Sequence, residues 1–147
     1  MKKLVSTLAL VAVAALAAAS LAFGGHRASP VMIGAKLTAA EEVPAQVVKD
    51  TKAKGSFTGD ITGKTLTWSL TFSGLTGPAT AAHIHMAAMG ASGPVVVPLC
   101  GPCKSGVKGT ATLSAALLSA LKTHKLYVNV HTAKNPNGEI RGQVAQG

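Results

Sequence analysis

Aromatic side chains are scarce in this chain: one Trp, one Tyr and three Phe among 147 residues. Surfaces that bind single-stranded nucleic acid need stacking platforms, and too few are available here. The lysines at 36, 49, 52, 54, 64, 104, 108, 122, 125 and 134 stand singly, with only a loose group over 49–54. A formal charge of +9 therefore reads as a solvated basic surface, and no nucleic-acid partner is expected. Acidic residues are fewer still, five in all, and Glu41 and Glu42 are neighbours whose side chains would diverge on an extended backbone. Paired-carboxylate hydrolysis is not supported. No G-x-S-x-G elbow, phosphate-binding loop or dinucleotide fingerprint occurs, and no internal repeat is visible.

One long apolar run exists, at the start. Lys2 and Lys3 precede LVSTLALVAVAALAAA (4–19), and small residues follow, with cleavage expected after Ala19 or Ala22. This order reads as a secretory signal peptide over 1–22, with 23–30 as a linker and a single β domain over 31–147. Export to a periplasmic, cell-envelope or extracellular location follows, with no membrane insertion after cleavage. Loss of Lys2 and Lys3 would leave a charge of +7, so anionic envelope polymers, or another protein, are the conceivable partners.

The remainder alternates short strands with turns. VMIGAKLT (31–38), KGSFTGDI (54–61), KTLTWSLTF (64–72), AAHIHMA (81–87), PVVVPL (94–99), SGVKGTATLS (105–114), KLYVNVHT (125–132) and GEIRGQVA (138–145) all read as strand. Thr62-Gly63 marks a hairpin turn. Leu117, Leu118 and Leu121 fall at helical spacing behind Ser114, a candidate N-cap. The expected fold is all-β: an antiparallel, Greek-key-like sandwich or barrel of the immunoglobulin or superoxide-dismutase kind, with one short helix.

Side chains alternate faces along a strand. In 81–87, His83 and His85 share one face and Ala82, Ile84 and Met86 the other. In 125–132, Tyr127, Asn129 and His131 oppose Leu126, Val128 and Val130. With the aliphatic sides in the core, His83, His85, Asn129 and His131 all point outward. If the strands are neighbours, His83, His85 and His131 can converge on one copper or zinc ion. His26, in the linker, and His124, near the helix end, need no such role.

Cys100-Gly101-Pro102-Cys103 spells a thioredoxin tetrapeptide, but the following KSGVKGT offers turn and strand rather than the helix that such a site requires. A local disulfide is the expected state of an exported pair, and thiolate ligation beside the histidines is the alternative. Glu139 and Arg141 sit two apart on the last strand. They read either as an ion pair or as groups that orient His131, with Asn129 beside them.

LTAAEEVPA (37–45), LTWSLTFSGLTGPATAAHIHMA (66–87), GPVVVPL (93–99) and LYVNVHTAKNPNGEIRGQV (126–144) together resemble the CHRD domain, the module named after chordin. The resemblance implies an extracellular β-structure and a non-catalytic binding or structural module, and brings no catalytic residue with it. An H-x-H strand on a barrel is also similar to the copper site of Cu/Zn superoxide dismutase. That architecture supplies the alternative function, copper-dependent redox catalysis at the same three histidines. The fourth and bridging histidines and the zinc-binding Asp of that enzyme have no counterpart near the pair.

Overall fold

The computed structural model describes residues 29–44 and 52–147. The signal-peptide segment 1–22 and most of the linker lie outside the described residues. Nine strands and one helix follow in the order β1 (Val31–Thr38), β2 (Lys54–Thr62), β3 (Thr65–Ser73), β4 (Ala79–Met86), β5 (Val95–Cys100), β6 (Val107–Thr112), α1 (Ala115–Lys122), β7 (Leu126–Thr132), β8 (Ile140–Gln143) and β9 (Ala145–Gln146). A short 3-10 turn at Ala39–Glu41 follows β1.

All strand pairings are antiparallel, in the order β5-β4-β7-β8-β1-β2-β3-β6, with β9 beside β1. The sheet curls into a nearly closed barrel. The chain first runs β1, β2 and β3 as a meander. It then crosses to β4 and β5, returns to lay β6 on β3, and crosses again through α1 to β7. These crossings place β4 beside β7, although more than thirty residues separate them in sequence.

Alternation accounts for the core. Leu66, Trp68 and Leu70 of β3 point inward with Phe57 and Ile61 of β2 and Ile33, Ala35 and Leu37 of β1, while the threonines between them face out. Ala82 and Ile84 of β4 join Leu126, Val128 and Val130 of β7 on the same interior. The β2–β3 turn consists of Gly63 and Lys64, because Thr62 pairs with Thr65; Gly63 carries the positive φ of 62° that this tight link requires. The turn thus sits one residue beyond the Thr62-Gly63 expected from sequence. Helix α1 begins at Ser114, whose hydroxyl accepts from the Leu117 N–H at 3.2 Å. Leu121 on the helix is buried in the core. No helix among the described residues is long and apolar enough to cross a membrane.

Gly142 of β8 lies so close to β1 that a Cβ there would run into the Lys36 carbonyl. Backbone cannot yield as a flexible side-chain tip can. Gly142→Ala should therefore destabilise the fold by about 1–3 kcal/mol or more, read as a fall in the urea midpoint at unchanged slope. An unchanged midpoint would contradict the packing of β8 on β1.

Candidate metal centre

The β4–β7 register sets His83 opposite Asn129, His85 opposite Tyr127 and Ala81 opposite His131. On one side of this pair lie Ala82, Ile84, Val128 and Val130, in the core; on the other lie the three imidazoles. That second side is not the open surface expected from alternation. Every residue of β7 is buried, because three segments fold over it.

The β4–β5 loop is one cover. It turns back at Ala91, whose N–H donates to Ala88 O, and is closed by Met86 N–H donating to Pro94 O at 3.0 Å. Gly93 is needed there, since a Cβ would strike the Met86 carbonyl. The chain after β1 is the second cover, joined to the first by the Ser92 hydroxyl donating to Val43 O at 2.6 Å. The 133–139 turn is the third.

These covers orient the rings. His85 Nδ1 lies 3.0 Å from Gly93 O, and His131 Nδ1 lies 3.0 Å from Pro136 O. A carbonyl only accepts, so each Nδ1 is protonated and each neutral ring keeps its lone pair on Nε2. The His85 Nε2 is buried with no hydrogen-bond partner. His131 Nε2 meets His83 Nδ1 at 3.2 Å. One donor nitrogen from each of the three rings lies within 4.8 Å of the others. Two nitrogens each about 2.0 Å from one ion at a tetrahedral angle stand about 3.3 Å apart. The His83–His131 spacing of 3.2 Å already fits, and from a separation of at most 4.8 Å the His85 nitrogen has to close in by up to about 1.5 Å.

Burial pushes the His83 imidazole below its usual pKa, helped by His131 and His85. Burial also lowers His85, opposed by its bond to Gly93 and assisted by the Arg141 charge. In His131, burial outweighs the bond to Pro136, and His85 lowers it further. All three rings are thus held neutral, the form that binds metal.

Around the rings stand groups that sequence reasoning placed differently or missed. Glu139 and Arg141 do not pair with each other. The Glu139 carboxylate accepts from the Thr76 N–H at 2.6 Å and hydroxyl at 2.7 Å, from the Thr132 hydroxyl at 2.6 Å and from the Asn135 amide at 3.0 Å. Burial alone would raise its pKa, but these donors outweigh it and hold the acid below its usual range. Arg141 donates to Ala91 O at 2.8 Å and lies 3.5 Å above the Tyr127 ring centre. Tyr127 in turn stacks on His85, with centroids 4.8 Å apart and planes at 12°. Neither residue bonds to His131, whose orienting partner is Pro136.

Asn129 donates through Nδ2 to both oxygens of Glu42, at 3.1 and 3.0 Å. The sequence sets Glu42 only beside Glu41, as a pair whose side chains diverge; nothing local signals its partner 87 positions away. Burial drives its pKa up to about 7, against the lowering effects of Asn129 and Arg141.

Cys100 and Cys103 form a disulfide with Cα atoms 5.3 Å apart. No helix follows Cys103; a turn leads into β6, so the thioredoxin arrangement is absent. Cys103 N–H donates to Ala79 O at 3.0 Å, pinning the turn to β4. Neither sulfur belongs to the histidine cluster. His124 adopts a left-handed φ of 53° just beyond α1, away from the three.

The CHRD domain family model matches residues 33–144, from within β1 to the residue after β8. The chain belongs to the CHRD-domain family. Comparison with curated proteins and with solved structures finds no match. All three converging histidines lie inside the matched span of the CHRD domain, as do Glu42, Tyr127, Asn129, Glu139 and Arg141.

The Glu42 shift has a definite sign. The folded state holds its proton up to about 7, whereas the unfolded carboxyl releases it near 4.5. Between those values the native protein binds more protons, so this group makes stability fall as pH rises through the window. The histidines act oppositely, since their depressed folded pKa values add stability as pH rises toward 6.5. Subtracting the stability profile of Glu42→Gln from that of wild type isolates the carboxyl. The difference should move against wild type between pH 4.5 and about 7 and stay level above it; a flat difference would refute a protonated Glu42.

Proposed function

We propose that this protein is an exported CHRD-domain binding module that holds one transition-metal ion, copper or zinc, through His83, His85 and His131. The observation that carries this reading is the pair of carbonyl-locked rings. His85 and His131 each spend Nδ1–H on a backbone oxygen and turn Nε2 inward, where the His85 nitrogen has no protein partner. An imidazole whose second nitrogen is fixed by a backbone carbonyl is the usual preparation of a metal ligand. In the ion-free state His83 donates its Nδ1 proton to His131 Nε2. Metal binding through His83 Nδ1 requires that ring to change tautomer, with no net proton release.

Export rests on the leader-like segment, Lys2 and Lys3 followed by the apolar run over 4–19. The disulfide between Cys100 and Cys103 suits an oxidising compartment.

Calorimetry of metal-free protein should show one ion bound per chain. His83→Ala, His85→Ala and His131→Ala should each weaken binding by more than about 100-fold, beyond the loss expected for an outer partner. His124→Ala should leave binding unchanged. Because burial depresses all three pKa values, affinity should hold down to pH 6.5 and decline only below it. Variants indistinguishable from wild type would remove the proposal.

A further inference from the structure

Arg141 is the buried cation nearest this centre, only 2% exposed, and it stands one aromatic ring away from a ligand. Its guanidinium covers one face of Tyr127 at 3.5 Å, and the His85 ring stacks against Tyr127 at 4.8 Å. The register allows this sandwich, with Arg141 paired to Asn129 and reaching diagonally to Tyr127. Tyr127 pairs with His85 of β4 on one side and with Gln143 of β8 on the other, and Arg141 belongs to β8. The second anchor of Arg141, Ala91 O, lies in the loop that covers the rings.

The charge that reaches the His85 ring is that of Arg141. Glu139 is held by the neutral donors Thr76, Thr132 and Asn135, and Glu42 by the Asn129 amide. Neither is hydrogen-bonded to a ring. The cluster itself consists of imidazoles alone. An ion entering here meets no anionic donor and carries its full charge into a largely buried site beside a fixed positive charge.

The geometry points to a preference for the monovalent ion: the three-histidine centre takes Cu(I) over Cu(II) and Zn(II), and Arg141 sets that preference. The inference rests on the reading that the three histidines hold a transition metal. Repulsion from Arg141 doubles when the ion carries two charges instead of one. The desolvation cost also rises steeply with ionic charge. Coordination works in the same direction. Three nitrogens complete a trigonal Cu(I) centre, whereas zinc asks for a fourth ligand. Divalent copper ordinarily outbinds other divalent ions at nitrogen sites, so a site that ranks Cu(I) first departs from the default in a measurable way.

The test uses the metal-free protein under anaerobic conditions. Cu(I) affinity is read by competition with a chromophoric Cu(I) chelator, and Cu(II) and Zn(II) affinities by competition with divalent chelators in the same buffer. Wild type should bind Cu(I) more tightly than either divalent ion. Arg141→Gln should lower the Cu(I)-to-Cu(II) affinity ratio on the order of tenfold, and Arg141→Lys should restore most of it by returning the charge. Tighter Cu(II) or Zn(II) binding by wild type overturns the inference even if Arg141→Gln fails to fold. So does an unchanged ratio in a folded Arg141→Gln. Divalent binding that still depends on the three histidines leaves the metal-site reading standing while this preference falls; no binding of any of the three ions removes both.

Discussion

Pairing of β4 with β7 is the constraint on which the rest of the molecule depends. One register places Ile84 against Val128 and Ala82 against Val130 in the barrel interior, and sets His83, His85 and His131 together on the opposite side. A slip of one residue would invert both faces at once, driving imidazoles into an apolar core. Hydrophobic burial therefore enforces the register, and the convergence of the three nitrogens follows from it. The disulfide helps at the strand's far end by tying the 100–103 turn to Ala79.

A bare sheet face carrying three histidines would be an unremarkable solvated surface. What makes it a centre is the cover. The β4–β5 loop, the segment after β1 and the 133–139 turn each contribute a backbone oxygen or a buried side chain, and together they exclude water from most of β7. Desolvation then keeps the rings neutral, while the two carbonyl bonds decide which nitrogen faces inward. Burial is also why Glu42 sits near pH 7 and why Arg141 is held on an aromatic face. Polarity on the outer side of the barrel has become a second interior.

The first of these layers could be read from the residues in order. Strict alternation in 64–72 and 125–132 marks the strands, and the i, i+2 spacing of His83 and His85 separates them from Ile84 without any structure. The N-cap at Ser114 is equally local. The covering of the histidine face is not, because it depends on contacts such as Glu42 with Asn129, 87 residues apart, and on backbone carbonyls that have no side-chain signature. For the same reason Glu139 and Arg141, two apart on one strand, looked like each other's partners. The turn threonines and Asn135 claim the first, and the Tyr127 face claims the second.

The central claim is that His85 and His131 present Nε2 to a common ion while their Nδ1 protons stay on backbone carbonyls. Imidazole nitrogen NMR of the protein during titration with Zn(II), a diamagnetic probe, reads this directly. The account predicts that both rings are neutral and Nδ1-protonated before zinc is added. At one equivalent, the Nε2 resonances of His85 and His131 should move to metal-bound positions, with both Nδ1 protons retained. Nε2-protonated rings in the free protein, or zinc that leaves those resonances unmoved, would contradict it.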